Sequence, residues 1–300
     1  MSRVKFIVIL CLTALACQLQ ATAIPPTEIP TSTSTPEPTS SPTATLTLEP
    51  TLAPTPAPPA RRVLILSIDG FRPDAIPLAP MPFLTSLLSQ SAYSLKAQTV
   101  YPSVTLIAHT SMLSGECPDK HKVDWNDYIP EKGYAQVTDI FRYINDRDLV
   151  ITDDLIQNFP ADFRLMFVHF PTPDGMGHEY GWLSPQQLSV LYRADQAIEK
   201  LVTELNNRGL MSETLFIITA DHGGHDTTHG SSMPEDMTIP WIAFGAGIQP
   251  AELTSPVNTV DTAATAAFAL GLPIPEEWDG VPVYEAFGLP IEKVSAGCHK

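Results

Sequence analysis

The chain has 300 residues, 44% of them hydrophobic, and a formal net charge of −16 at pH 7. This acidic balance argues against a nucleic-acid-binding protein, because the sequence offers no basic stripe that could neutralise phosphates. An acidic protein can still bind phosphate compounds where metal ions supply positive charge locally. Residues 1–60 are unsuited to a hydrophobic core, so the remainder is long enough for about one domain.

The N-terminus is typical of an export signal. Two basic residues precede the apolar run Phe6–Ala16, which is too short to cross a bilayer as a helix. Cleavage after Ala23 would remove residues 1–23 as a signal peptide and release a secreted protein. Alternatively, removal of residues 1–16 would leave Cys17 for lipidation and anchor the protein at the cell surface. The sequence predicts an extracytoplasmic protein and leaves both routes open.

A segment of biased composition follows the signal. Residues 24–60 alternate Pro, Thr and Ser without an apolar period. Such a segment cannot bury enough surface to order itself, so we predict a disordered, extended tether. The folded domain is predicted over residues 61–290, with a tail over residues 291–300.

Two cysteines, Cys117 and Cys298, remain once the signal is set aside. An oxidising compartment would allow them to pair, but their positions in the sequence do not show whether they meet in space. We therefore expect two unpaired thiols without a catalytic role.

The predicted domain alternates apolar strands with helices. Val63–Ile68 is a continuous apolar run, as in a strand that is covered on both faces of a parallel sheet. The elements predicted after it are a helix over Met81–Ser89, a strand over Ser94–Val100, helices over Thr105–Leu113 and 136–143, a strand over Arg164–Phe170, a helix over Pro185–Asn207, strands over Leu215–Thr219 and Ile239–Gly247, and a helix over Val260–Leu270. This alternation predicts an α/β fold, a three-layer sandwich with a mostly parallel central sheet.

Acidic residues follow three of the apolar runs: Asp69, Asp174 and Asp221. Because ligands bind beyond the carboxyl ends of parallel strands, we expect these carboxylates to converge at one edge of the sheet. Carboxylates in one crevice repel each other unless cations lie among them. His178 follows Asp174 on a predicted glycine-rich turn, and His222 directly follows Asp221. Mixed Asp and His ligands without thiolates suit zinc, or another first-row ion such as manganese.

Four sequence runs carry a family resemblance: ILSIDGFRPD, YPSVTLIAHTSMLSGECPDKHKV, PTPDGMGHEYG and IITADHGGHDTTHG, in that order. Together they resemble the motifs of the type I phosphodiesterase and nucleotide pyrophosphatase family, within the alkaline phosphatase superfamily. The resemblance covers residues 62–287. It implies an alkaline phosphatase-like catalytic domain that hydrolyses small phosphoesters, such as phosphodiesters and nucleotide pyrophosphates, with two divalent metal ions.

The resemblance also implies which residues would bind the two ions. The first ion would be held by Asp69, Thr105, Asp221 and His222. The second ion would be held by Asp174, His178 and a late histidine that best matches His229, with His225 as the alternative. Zn²⁺ is the predicted ion, and Mn²⁺ is the alternative.

Thr105 matches the position of the family's nucleophile. A threonine hydroxyl is a poor nucleophile near neutral pH, and the sequence contains no Gly-x-Ser-x-Gly run. A divalent cation and the N-terminus of the predicted helix would together stabilise its alkoxide. The resemblance therefore implies attack by Thr105, a phospho-threonine intermediate and its hydrolysis by water.

The chain departs from the family pattern in two places. Many members have asparagine and phenylalanine in a T-F-P-N-H run where this chain has Ala108 and Leu106, so the preference for diesters over monoesters, and for nucleotides, stays open. Residues 144–164 form a shorter segment than relatives have, which would remove part of the substrate-facing surface or of the sheet. The alternatives are a phosphomonoesterase or phosphonate hydrolase on the same scaffold, or a catalytically impaired, surface-tethered binding protein.

Other side chains near the motifs are predicted to be structural. His109, His121 and His169 are assigned to packing. Aromatic residues assigned to packing, or alternatively to a leaving-group pocket, are Trp125, Tyr128, Tyr180 and Trp182.

Overall fold

The structure is a computed structural model that describes residues 57–126, 148–160 and 162–298. The predicted signal, Cys17, most of the tether, Tyr128 and the predicted helix over 136–143 lie outside the described residues. No helix within the described part of the chain is long and apolar enough to span a membrane.

Strands and helices alternate along the described chain as predicted. The strands are β1 (Arg62–Ile68), β2 (Ala92–Gln98), β3 (Leu165–Phe170), β4 (Thr214–Thr219), β5 (Thr238–Gly245) and β6 (Ala251–Glu252). The α-helices are α1 (Pro82–Leu88), α2 (Thr105–Ser114), α3 (Pro118–His121), α4 (Asp148–Gln157), α5 (Thr172–Tyr180), α6 (Pro185–Asn207), α7 (Pro234–Met237) and α8 (Asp261–Ala269). Short 3₁₀ turns lie at Pro73–Ala75, Met211–Glu213 and Tyr284–Phe287.

The six strands form one sheet in the order β3-β1-β4-β5-β2-β6. Strand β1 pairs in parallel with both β3 and β4, so the carboxyl ends of these three strands meet at one edge. Strand β5 runs antiparallel to both of its neighbours, β4 and β2, and β6 is parallel to β2. The predicted α/β fold is therefore confirmed. The reversal of β5 was not predicted, because an apolar run does not encode strand direction.

Helices cover the apolar strands. Residues 63–68 of β1 and all of β4 are buried, as expected for strands between two layers. Helix α6 packs against α1, α4 and α5, whereas α2 packs against α3 and α8. The buried positions of α6 recur three or four residues apart, which is the period of an amphipathic helix. Ser184 caps this helix by accepting a hydrogen bond from Gln187 N at 3.3 Å.

Both ends of the folded domain extend beyond the predicted limits. Ala60, predicted to belong to the tether, is buried, and its N–H donates to Ala269 O at 2.9 Å. Ser295, predicted to lie in the tail, is also buried, and its hydroxyl donates to Asp261 Oδ2 at 2.8 Å. Both ends of the domain are therefore attached to α8: the N-terminal end contacts its last residue, and the C-terminal end contacts its first residue.

The Asp174–His178 stretch lies in helix α5, so the predicted glycine-rich turn is wrong. The missing side chain of Gly177 leaves room for a neighbouring ring, since a Cβ there would lie 2.8 Å from Trp182. Tertiary packing thus outweighs the low helix propensity of glycine. The helix places Asp174 and His178 one turn apart on the same face.

Cys117 and Cys298 form a disulfide with a Cα–Cα distance of 5.5 Å, so the prediction of two unpaired thiols is wrong. Their separation of 181 residues gave no information about proximity in space. The backbone N–H of Cys117 also donates to Asp279 Oδ2 at 2.9 Å. The disulfide attaches the C-terminal segment beside the start of α3.

Replacing Cys298 with serine is expected to lower the free energy of unfolding by about 2–4 kcal/mol, because the disulfide restricts the unfolded chain. Thermal unfolding of the parent and the variant, each with and without reductant, measures the effect. Reductant should lower the Tm of the parent and leave that of Cys298→Ser unchanged. Equal Tm values for the oxidised parent and the variant would contradict the contribution of this disulfide.

Candidate active site

Strands β1 and β4 deliver two carboxylates to the same edge of the sheet. Asp69 directly follows β1, and Asp221 follows β4 after one residue. Asp221 Oδ1 accepts hydrogen bonds from Gly70 N at 3.2 Å and from His222 N at 3.0 Å. Asp69 Oδ2 lies 2.9 Å from His169 Nε2. One oxygen of each carboxylate is thus held by protein groups, which turns the other oxygen toward the crevice.

A third carboxylate comes from the first turn of α5, beyond the end of β3. Asp69 Oδ1, Asp174 Oδ1 and Asp221 Oδ2 are all buried and have no hydrogen-bond partner among the described residues. Buried carboxylate oxygens are rarely left without a partner, because their desolvation costs free energy. Three such oxygens at one edge of a sheet suit a site that binds cations.

Burial dominates the electrostatics of this edge. Burial, reinforced by the carboxylates of Asp221 and Asp174, raises the pKa of Asp69 well above its ordinary value. Burial is also the main cause that raises the pKa of Asp174. Negative charge concentrated in this way is destabilising for the protein alone and would be compensated by positive ions.

Backbone carbonyls orient three histidines toward these oxygens. The Nδ1 atoms of His222, His229 and His178 lie 2.8, 2.8 and 3.0 Å from the carbonyl oxygens of Gly223, Ser103 and Thr227. Because a carbonyl oxygen only accepts hydrogen bonds, each Nδ1 is assigned as the donor, and each Nε2 is the ring nitrogen left to face the carboxylates. Imidazoles that bind metals are held by outer hydrogen bonds of this kind.

The imidazole Nε2 atoms face the unpaired carboxylate oxygens. His222 Nε2 lies 3.3 Å from both Asp69 Oδ1 and Asp221 Oδ2. The Nε2 atoms of His178 and His229 lie 3.5 and 3.6 Å from Asp174 Oδ1. A cation placed between these nitrogen and oxygen atoms could be bound by both. The donor set of this chain therefore fits a divalent metal site.

The side chains fall into two overlapping groups of candidate ligands. Asp174, His178 and His229 offer atoms that lie within 4.8 Å of one another, and so do Asp69, Asp174 and His222. Asp174 belongs to both groups, which the sequence did not indicate. The structure thus brings together all the carboxylates and imidazoles predicted for the two ions, while the ion that each would bind stays a prediction.

Thr105 is the first residue of α2, and its hydroxyl faces the same edge. Its Oγ1 lies 3.2 Å from His222 Nε2. Val104, rather than Thr105, occupies the N-cap position, and no side chain caps the helix there. The threonine hydroxyl is therefore directed at the cluster instead of the backbone of its own helix.

Asn126 is a residue that sequence reasoning missed. Its Oδ1 accepts a hydrogen bond from Leu106 N at 2.8 Å, one residue after Thr105. The amide is thereby held at the N-terminal end of α2. Ala108, which occupies the position where we expected the family's asparagine, is fully buried. No pattern in the sequence connects Asn126 with Thr105, because the contact joins residues far apart in the chain.

His225, the alternative late histidine, faces away from both groups. Its Nδ1 lies 2.6 Å from Asp236 Oδ1, and this hydrogen bond raises the pKa of His225. Asp236 also accepts a hydrogen bond from Ser231 N at 2.8 Å. His225 therefore fastens the loop that carries His229.

Two histidines predicted to be structural form a layer beneath the carboxylates. His169 contacts Asp69, as described above, and His109 Nε2 lies 2.8 Å from Ser67 Oγ. Burial lowers the pKa of His169 to about 3 and lowers that of His109 below its ordinary value. Both imidazoles are therefore neutral near pH 7. His169 therefore orients Asp69 without adding a positive charge to the site.

Comparisons of the sequence identify relatives. The sequence model of the type I phosphodiesterase / nucleotide pyrophosphatase family matches residues 63–140 and 124–238. The catalytic subunit of human GPI ethanolamine phosphate transferase 2 is 26% identical over 288 residues, which cover 79% of this chain and 29% of that protein. The chain thus spans less than a third of the length of this curated relative.

Comparisons of the structure identify proteins with a similar fold. Murine ectonucleotide pyrophosphatase/phosphodiesterase 5 superposes with a TM-score of 0.64 at 15% identity, covering 76% of this chain and 99% of that one. A phosphonate monoester hydrolase from Silicibacter pomeroyi superposes with a TM-score of 0.58 at 15% identity, covering 76% and 77%. Because the family model matches more than half of its length, the chain belongs to the type I phosphodiesterase / nucleotide pyrophosphatase family.

Proposed function

We propose that this protein is an exported, two-metal phosphoester hydrolase that uses Thr105 as its nucleophile and favours phosphodiesters or nucleotide pyrophosphates. The main support is the set of buried carboxylate oxygens, without hydrogen-bond partners among the described residues, that face imidazole Nε2 atoms beside the Thr105 hydroxyl. A fold that had kept only a binding role would have no need to hold this unfavourable arrangement.

The proposed ligands divide between two ions. One ion is assigned to Asp69, Thr105, Asp221 and His222, and the other to Asp174, His178 and His229. Nitrogen and oxygen donors without thiolates favour Zn²⁺, with Mn²⁺ as the alternative. When bound, such ions supply positive charge that favours the alkoxide over the hydroxyl and offsets the charge of the phosphate.

Thr105 performs the covalent step. Its alkoxide attacks phosphorus, forming a Thr105 O–P bond while the bond from phosphorus to the leaving-group oxygen breaks. Water then displaces the threonine oxygen from phosphorus, which releases the phosphoryl product and restores the hydroxyl. The N-terminus of α2 favours negative charge on the Thr105 oxygen, because the dipole of a helix is positive at this end.

Asn126 is assigned to a non-bridging oxygen of the phosphate. Its Oδ1 accepts from Leu106 N, and its NH₂ group, which has no hydrogen-bond partner among the described residues, can donate from a position near the nucleophile. A donor held in this way stabilises the charge that develops on phosphate oxygens. Asn126 would thus supply the amide that is missing at Ala108.

Substitution of Asn126 with aspartate is expected to lower kcat/KM for an aryl phosphodiester by about 10²-fold or more, because a donor is replaced by a second carboxylate oxygen. Aspartate keeps the acceptor for Leu106 N, so the start of α2 should be unchanged in circular dichroism and thermal unfolding. Steady-state kinetics of Asn126→Asp and Asn126→Ala provide the measurement. If Asn126→Asp kept parental turnover, Asn126 would serve only to cap the helix.

A second candidate is transfer of a phosphoryl-linked group to an alcohol instead of water. Curated relatives favour it, since two human sequences that match are named GPI ethanolamine phosphate transferases. The first step at Thr105 would be the same, and only the acceptor in the second step would differ. A phosphomonoesterase or phosphonate hydrolase is a further alternative, supported by the fold shared with the bacterial phosphonate hydrolase.

The function is tested with purified protein, loaded with Zn²⁺ and offered aryl phosphodiester, aryl phosphomonoester and aryl phosphonate substrates. We expect release of the aryl alcohol from the diester that is abolished by a chelator and restored by Zn²⁺. Added primary alcohols would yield new phosphodiester products if transfer competes with hydrolysis. Turnover of every substrate at the level of Thr105→Ala would refute the hydrolase and favour the tethered binding protein.

Export is supported by the N-terminal sequence and by the Cys117–Cys298 disulfide, since disulfides persist mainly in oxidising compartments. We propose that the protein is secreted or is anchored through Cys17, with the Pro/Thr/Ser-rich segment as a tether. Mass spectrometry of the mature N-terminus distinguishes cleavage after Ala23 from a diacylated Cys17. An intact N-terminal methionine in the mature protein would contradict both routes.

A further inference from the structure

A single indole packs against three glycines that come from different segments of the chain. A Cβ on Gly177 would lie 2.8 Å from the Trp182 ring, and a Cβ on Gly70 would lie 3.2 Å from it. A Cβ on Gly224 would overlap the same ring. These contacts leave no room for a side chain at Gly177 or Gly224, because the indole fills the space that such a side chain would need.

Each of these glycines adjoins a candidate ligand. Gly177 directly precedes His178, and Gly70 directly follows Asp69. Gly224 lies shortly after His222. The three ligands belong to different elements, namely α5, the end of β1 and the loop after β4. The ring of Trp182 therefore lies at the junction of all the segments that supply carboxylates and imidazoles to the site.

Hydrogen bonds fix the indole at this junction. Trp182 Nε1 donates to Gly70 O at 2.9 Å, and Trp182 N donates to Asp226 O at 2.7 Å. The ring centroid lies 5.3 Å from that of His178 and 5.9 Å from that of His229, in edge-on arrangements. The residue is 8% exposed, so the ring cannot line an open leaving-group pocket.

We propose that Trp182 is a positioning residue that sets the distance between the two groups of candidate ligands. The inference deepens the proposed two-metal site and rests on it. The ring spaces α5 and the loop after β4 apart, while its N–H holds the backbone beside Asp69. A smaller ring would lose the hydrogen bond to Gly70 O. It would also leave a cavity into which the three surrounding segments could shift.

The role differs from ordinary core packing in what it should change. A residue that only fills the core affects the free energy of unfolding, whereas a positioning residue also affects the affinity for metal. Replacing a residue that orients a metal ligand typically lowers the affinity for the metal by about 10–100-fold. Metal affinity therefore separates the two roles, independently of catalysis.

Trp182→Phe is the direct test, and Trp278→Phe is its matched control. Trp278 packs against Gly115, where a Cβ would lie 2.7 Å from its ring, but Gly115 adjoins no candidate ligand. Metal-free protein is titrated with Zn²⁺ in competition with a chromophoric chelator, and the unfolding of each metal-free variant is recorded. We expect Trp182→Phe to weaken Zn²⁺ binding about 10–100-fold and Trp278→Phe to leave it at the parental value.

A pair of glycine substitutions gives the second test should Trp182→Phe fail to fold. Gly175 and Gly177 lie in the same helix, but a Cβ on Gly175 meets nothing within 4 Å. Gly177→Ala should weaken Zn²⁺ binding, and Gly175→Ala should not. Parental affinity in both Trp182→Phe and Gly177→Ala would overturn the role of Trp182. Failure of the parent itself to bind Zn²⁺ would instead overturn the proposed two-metal site.

Discussion

Replacing Thr105 with alanine is expected to reduce kcat/KM for an aryl phosphodiester by about 10³-fold or more, because the covalent step loses its nucleophile. Alanine removes the contact of the Thr105 hydroxyl with His222 Nε2, but His222 keeps its hydrogen bond to Gly223 O. Steady-state kinetics, together with trapping of a phosphorylated protein by acid quench and mass spectrometry, measure the effect. The parent should yield a phosphopeptide that contains Thr105, and the variant should yield none.

Thr110→Ala provides the control for this prediction. Thr110 lies in the same helix, and its hydroxyl donates to Leu106 O at 2.7 Å, so it cannot reach the substrate. We expect this variant to keep parental turnover to within a few-fold, since a single neutral hydrogen bond contributes about 1 kcal/mol to stability. If Thr105→Ala and Thr110→Ala behaved alike in kinetics and labelling, Thr105 would not be the nucleophile.

The largest change in metal content is expected from two histidine substitutions that act on different ions. His222→Ala and His229→Ala should each lower bound Zn²⁺ from about two ions per chain to about one, with turnover reduced by about 10²-fold or more. The reason is geometric, since His222 Nε2 faces Asp69 and Asp221, whereas His229 Nε2 faces Asp174. Metal analysis after dialysis, combined with kinetics, tests the division.

His225→Asn serves as the control, because His225 pairs with Asp236 and contacts neither group. Asparagine keeps a donor for this carboxylate, so the loop should stay fastened and the variant should retain about two ions. Loss of an ion from His225→Asn, with parental metal content in His229→Ala, would reverse the assignment of the late histidine. Unchanged metal content in both His222→Ala and His229→Ala would contradict the site as a whole.

The carboxylates at the strand ends were predictable from the sequence. Uninterrupted apolar runs mark strands covered on both faces, and parallel strands bring their carboxyl ends to one edge. The placement of Asp69 and Asp221 follows from these two rules alone. Helix α6 was predicted with the same bounds, because its apolar residues recur three or four positions apart over a long stretch.

Other features depend on contacts that local sequence does not encode. The glycines after Asp174 indicated a turn, but the segment is helical, and the ring of Trp182 packs against Gly177. The approach of Asn126 to the start of α2 and the pairing of Cys117 with Cys298 both join distant parts of the chain. Local patterns therefore located the site, whereas tertiary packing determined how its parts are held.

The hydrogen bonds of Ser103 tie two parts of the candidate site together. Its carbonyl oxygen lies 2.8 Å from His229 Nδ1, and its hydroxyl donates to Ser231 O at 2.8 Å. The loop that bears His229 is thus fastened to the segment immediately before Thr105. A displacement of this loop would therefore either break these hydrogen bonds or shift the start of α2 with it.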